Sequence, residues 1–133
     1  MESIIVQMLL ECSPKRIAKT VLLPAGDLAQ NRMNSKLKEV KKCGRTYRGK
    51  IDELSVSVVK SGIGAPFAAT ILEALVRADV QRIIRLDFCG GISEEIEIGD
   101  VVISPSAISG DGTTPHYLPD SKDLKIDGDI DLT

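Results

Sequence analysis

A chain of 133 residues suits one domain with one hydrophobic core. Its 17 basic and 19 acidic residues leave a formal charge of −2, and aromatics make up 3% of it, so no nucleic-acid partner is expected. A single histidine and three scattered cysteines (Cys12, Cys43, Cys89) with no CxxC pair exclude the usual zinc sets and point to reduced thiols and a cytoplasmic location.

The N-terminal segment holds an apolar run, Ile4–Leu10, interrupted by Gln7 and closed by Glu11. It is too short to span a bilayer and lacks a basic start and a small-residue cleavage site, so no membrane partner is expected. "TVLLP", 20–24, is a short apolar run closed by proline and reads as a buried strand. "AGDLAQNRMNSKLKEVKK" opens on a Gly-Asp turn and continues as polar, weakly helical sequence, with Lys38, Lys41 and Lys42 on a solvated helix face. "LSVSVVKSG", 54–62, alternates apolar and small polar residues up to a glycine and predicts a strand.

Residues 63–80 carry Ala68, Ile71, Leu72, Leu75 and Val76 at helical spacing, with Pro66 at the first helical position, where a missing N–H costs nothing. "RIIRLDF" predicts the next strand and "DVVIS", 100–104, another, joined by the acidic connector "SEEIEIG". Strand, helix and strand between Val59 and Ile83 imply a parallel pair. The fold class expected is α/β in three layers around a central, mostly parallel sheet. The tail "DSKDLKIDGDIDLT" holds five aspartates in fourteen residues and reads as loop-like.

Three of these segments together resemble the nucleoside phosphorylases, the family of uridine phosphorylase and the hexameric purine nucleoside phosphorylases. "LLPAGD" resembles the family's opening Leu-Leu-Pro-Gly-Asp. "TYRGKIDELSVSVVKSGIGAPFAATILEAL" is similar to its Thr-Tyr-basic-Gly segment, strand, glycine loop and helix. "IIRLDFCGGISEEIEIGDVVISPSAISGDGTTPHYLP" resembles its arginine-glycine turn, Gly-Asp strand and His-Tyr-x-Pro segment, in a form nearest to uridine phosphorylases. The resemblance spans residues 9–119. It implies residues 1–119 as the N-terminal part of a truncated nucleoside phosphorylase-like domain, followed by an acidic tail over 120–133.

The implied activity is phosphorolysis of a nucleoside, uridine-type favoured, to free base and ribose 1-phosphate. Inorganic phosphate is the co-substrate, with no other cofactor and no metal. A homo-oligomer, or a partner chain carrying the missing C-terminal half, is implied as well. Carried over residue by residue, Arg85 stands at the family's phosphate-contacting arginine. Gly26, Gly62 and Gly64 line the phosphate loops, and Lys38 matches the arginine that reaches a neighbouring subunit's phosphate. Cys89, Gly90 and Gly91 would form a nucleoside shelf through backbone groups. No catalytic residue is assigned, and His116 reads as a packed loop histidine because nothing supplies a carboxylate partner.

Physical chemistry gives Arg85 the same role, since a planar guanidinium pairs two phosphate oxygens at the C-terminal end of a parallel strand. The bland readings are an edge-strand surface arginine, glycines placed for conformation alone, and Cys89 as a small buried hydrophobe. The chain departs from the family at several points. Gln30 stands where a second phosphate arginine belongs, with Arg32 two residues late, and Asp87 and Phe88 replace a glycine and a hydroxyl. Phe67 replaces a serine, Gln7 or Met8 occupies the place of a lent histidine, and the segments that hold ribose and base are not among the 133 residues. Two alternatives to a phosphorylase follow. One is a non-catalytic half-domain that binds nucleoside or phosphate, or only assembles with a paralogue. The other is a nucleosidase using water.

Overall fold

The computed structural model describes residues 2–120 and 123–129, and the chain divides into two units, Met1–Phe88 and Cys89–Thr133. The first unit is built on a five-stranded sheet of order β2-β3-β4-β1-β5. Its strands are β1 (Thr20–Leu23), β2 (Lys38–Cys43), β3 (Thr46–Ile51), β4 (Leu54–Val59) and β5 (Arg82–Arg85). Three helices accompany them: α1 (Glu2–Leu10), α2 (Asp27–Asn34) and α3 (Ala65–Arg77).

β1 is an interior strand, between β4 and β5, and is buried along its whole length, as expected of a largely apolar run with a helical layer on each face. Side chains alternate along it. Val21 and Leu23 join Val59, Ile71 and Leu75 and, from α1, Val6 and Leu10 on one side. Leu22 joins Val56, Val58 and Leu37 on the other, where Met33 of α2 packs. The sheet thus has α1 and α3 on one face and α2 on the other, the three-layer arrangement expected. Each large aliphatic side chain buried this way contributes roughly 1.5–3 kcal/mol, and the apolar N-terminal run is one source of it: it forms a helix whose Val6 and Leu10 are fully buried.

β4 and β5 both run parallel to β1, Leu22 pairing with Val58 and Ile84. The predicted parallel relation of these two strands therefore holds in direction, but β1 lies between them. Three segments differ from the sequence reading. The segment 38–43 is not helical: it forms the edge strand β2, antiparallel to β3, which is antiparallel in turn to β4. Two-residue turns make this meander, Gly44-Arg45 with Gly44 at φ +55 and Asp52-Glu53 with Asp52 at φ +51. A side chain on Gly44 would collide with Glu11.

The other two differences lie in the second unit. Residues 101–104 form no strand, and Val101, Val102 and Ile103 are exposed. An apolar run becomes a strand only where a partner strand accepts its backbone, and among the described residues none is paired there. The two-stranded sheet of this unit is instead β6 (Ser106–Ile108) antiparallel to β7 (Lys125–Asp127), so part of the acidic tail is a strand. Between them, α4 (Thr114–Tyr117) is held at its start by Asp111, whose carboxylate accepts from the Thr113 and Thr114 amides at 2.6 and 2.8 Å and from the Thr114 hydroxyl.

Candidate functional site: the glycine loops and Arg85

β1, β4 and β5 run the same way, so the segments that leave their C-terminal ends gather at one end of the sheet. Gly26 closes the β1 segment and caps α2, its carbonyl accepting from Gln30 N at 3.1 Å. Gly62 and Gly64 follow β4 at φ +76 and +93, a region that side-chain-bearing residues enter only with strain. Gly64 caps α3, accepting from Ala68 N at 3.1 Å, and Pro66 falls in the first turn. Both helix starts place free N–H groups and a partial positive charge at this end of the sheet.

Ser61 ties the end together. It is fully buried and its amide donates to Pro24 O at 2.9 Å, joining the β4 segment to the β1 segment. Its hydroxyl is within donating distance of Gly62 O at 3.0 Å and of Pro24 O at 3.3 Å. Arg85 Nη1 donates to that same hydroxyl at 2.9 Å. The arginine before the glycine turn is therefore directed at the base of both glycine loops. Sequence reasoning missed Ser61 because one serine after an apolar strand carries no distinguishing signal.

Arg85 also faces Asp87, Nη2 to Oδ2 at 3.3 Å, and Asp87 Oδ1 accepts the Phe88 amide at 3.0 Å. The guanidinium side chain is still 50% exposed, so this pair leaves it open to solvent. An exposed pair of this kind is worth about 1 kcal/mol or less, little enough for a better anion to displace it.

Beside this point lies a cleft of about 730 Å³ lined by Gly26, Asp27, Gln30, Lys60, Gly62 and Phe67, with Lys42, Arg45 and Tyr47 from the β2–β3 hairpin. Its cations are already engaged. Lys60 pairs with Asp27 at 2.5 Å, Arg45 with Glu11 at 3.4 Å, and Lys42 sits 5.2 Å from the Tyr47 ring centre. A side chain on Gly62 would strike the Phe67 ring, whereas one on Gly26 would meet nothing within 4 Å.

The structure thus brings Gly26 and Gly62 to one cleft, with Gly64 two residues along the loop and Arg85 joined to it through Ser61. Lys38 does not line the cleft: it starts the edge strand β2, opposite Lys50. Cys89, Gly90 and Gly91 belong to the second unit and are exposed. Cys89 is therefore not the buried hydrophobe its residue type suggests. The buried thiol is Cys12, pushed up to about 12 chiefly by burial and then by Cys43 beside it. Among the described residues no helix is long and apolar enough to cross a membrane.

The unit is three-layer α/β, with glycine turns and a guanidinium at the C-terminal end of its parallel strands, the end at which open α/β sheets place ligands. Comparison with known proteins makes this specific. The Phosphorylase superfamily matches residues 20–132, and the chain belongs to the nucleoside phosphorylase family. It is 32% identical to a uridine phosphorylase of Thermococcus kodakarensis, over 86% of this chain and 45% of that protein. It is 33% identical to a guanosine phosphorylase of Halorubrum lacusprofundi, over 50% of this chain and 27% of that one. The crystal structure of uridine phosphorylase from Vibrio fischeri has the same fold, with a TM-score of 0.71 and 19% identity over 80% of this chain and 46% of that one. The chain spans about half the length of the relatives it matches most fully.

Proposed function

We propose that the chain forms the phosphate-binding part of a nucleoside phosphorylase that splits a nucleoside, uridine-type favoured, into free base and ribose 1-phosphate. The observation that carries this reading is Arg85, held by Ser61 against both glycine loops and open to solvent. A phosphate there would exchange the Asp87 carboxylate for a doubly charged oxyanion, accept two guanidinium N–H groups, and approach the free amides of the α3 start. Cys89, Gly90 and Gly91 would supply the nucleoside shelf, and Lys38, on an exposed edge strand, would serve a neighbouring copy's phosphate.

Phosphorolysis passes through a cationic, oxocarbenium-like ribose, so its rate depends on placing the phosphate under the reacting carbon and holding sugar and base. The groups for sugar and base come, in this reading, from outside the 133 residues, on a longer chain or a partner, within an oligomer. Each missing preorganised donor raises the barrier by about 2.7–4 kcal/mol, which makes the 133 residues alone a weak catalyst or none. The names of the uridine phosphorylases among the relatives favour uridine over purine nucleosides.

The test is phosphate binding followed by amide NMR shifts, with uracil release from uridine measured with and without phosphate. Shifts at residues 61–64 and 85 that Arg85→Ala removes are expected. No phosphate binding by the intact chain would end the reading. The Asp87–Arg85 pair and the exposed Phe88 favour a second reading, a non-catalytic half-domain or a water-using nucleosidase. Base release that ignores phosphate would select the nucleosidase.

A further inference from the structure

The β2–β3 hairpin extends the sheet beyond its helical cover: β2 is exposed along nearly its whole length. Its register sets like charges face to face, Lys38 opposite Lys50 and Lys41 opposite Arg48. Directly opposed like charges destabilise a sheet unless something neutralises them. A further cation converges on the same place. Arg16, at the end of the short 3₁₀ turn Pro14–Arg16, joins Lys41, Arg48 and Lys50 around a concavity of about 370 Å³, separate from the cleft described above.

Glu39 is the one carboxylate in its wall, and it accepts from Lys50 Nζ at 2.9 Å. The pairing register shifts between Lys38 and Lys41, with Glu39 at φ +53, an uncommon conformation for a residue with a side chain. Arg48 is already oriented. Its Nε donates to Ser55 Oγ at 3.2 Å and Nη1 to Lys15 O at 3.5 Å, which leaves other N–H groups of the fork free. Among the described residues Arg16, Lys41 and Arg48 have no carboxylate partner. In this wall three cations thus remain uncompensated, although the formal charge of the chain is −2.

We infer that this concavity is a second anion site, for a small molecule carrying a di- or triphosphate, independent of the proposed phosphate seat at Arg85. The charge count favours that class. A single phosphate brings about −1.5 to −2, too little for three uncompensated cations, and a diphosphate brings roughly twice as much. The volume exceeds what a bare phosphate needs and falls in the range of small-ligand pockets, about 300–1,000 Å³. Arg48 supplies a planar fork and Lys41 a mobile point charge, complementary ways of holding a polyphosphate.

Pyrophosphate is the probe, titrated into the intact chain and followed by amide NMR and calorimetry. Shifts centred on residues 41, 48 and 50 are expected, with an affinity about tenfold above that for inorganic phosphate. Lys41→Ala and Arg16→Ala should each weaken the binding read from the shifts at 41, 48 and 50 about five- to tenfold, whereas Lys60→Ala and Arg85→Ala, outside this concavity, should leave those shifts unchanged. Lys41→Glu places opposite charges across the strands, so it should abolish binding while keeping or raising the melting temperature, which separates lost binding from lost folding. The inference is overturned by an absence of pyrophosphate binding, or by binding that Lys60→Ala or Arg85→Ala removes and Lys41→Glu spares. Phosphate shifts at 61–64 and 85 that persist in Lys41→Glu would at the same time leave the Arg85 reading standing.

Discussion

Replacing Gly62 by alanine tests whether the loop after β4 is built as described. At φ +76 a side chain costs about 1–2 kcal/mol, because its Cβ crowds the following carbonyl. The new methyl would also strike the Phe67 ring. That ring is 42% exposed, so it can swing outward, losing about half of the roughly 1.5–3 kcal/mol that full burial of a phenylalanine provides, or about 1 kcal/mol. A gain of about 0.4–1 kcal/mol from the stiffer unfolded chain partly offsets both. The net loss for Gly62→Ala is therefore about 2 kcal/mol.

In a Phe67→Ala background the collision is gone, and the same substitution should cost only about 1 kcal/mol or less. Urea unfolding of the four chains of this cycle measures the coupling directly, expected at about 1 kcal/mol. Gly26→Ala, whose methyl would meet nothing, serves as the control at about 1 kcal/mol or less. Penalties at 62 and 67 that add to within about 0.3–0.5 kcal/mol would refute the packing of Phe67 over Gly62, and with it the stated shape of the cleft wall.

Three further outcomes are expected. Asp87→Asn removes the carboxylate 3.3 Å from Arg85 and should tighten phosphate binding up to about fivefold in an NMR titration; unchanged or weaker binding would show that Arg85 does not receive the phosphate. At pH 8, alkylation followed by mass spectrometry should label exposed Cys89 first and buried Cys12 last, its thiol pKa being raised from 9.0 to about 12 by burial and by Cys43. Early labelling of Cys12 in the folded chain would contradict the α1 packing. The Thr114 hydroxyl, then the Thr114 and Thr113 amides, hold the Asp111 carboxyl below its ordinary 3.8. A lowered folded pKa stabilises above the unfolded value and is lost as pH falls through the folded one, so the penalty of Asp111→Ala should shrink below pH 3.8. A titration midpoint at or above 3.8 by carbon-detected NMR would overturn this.

The elements legible in the sequence are those whose signal is local. "TVLLP" and "LSVSVV" carry apolar runs closed by proline or glycine, and residues 65–77 repeat aliphatics at helical spacing behind Gly64 and Pro66. Arg85 stood out for the same reason, a cation inside an apolar strand before a glycine turn. The segment 38–43 was not legible. Its six residues hold three lysines and no strong alternation, and they become a strand because β3 offers its edge and two tight turns bring it there. The opposite failure occurs at 101–104, where apolar residues of strand type find no partner backbone among the described residues.

What the residues by themselves determined is the three-layer class, the glycine turns and the charge at position 85, because burial, backbone freedom and ionisation are properties a residue carries with it. Only the folded chain decided that a buried serine aims Arg85 at both loops, that Asp87 competes for it, and that Lys41 and Arg48 face one another across two strands. Each of those is a relation between side chains distant along the chain or set by strand register, and the energy of such a relation exists only at the distance folding imposes.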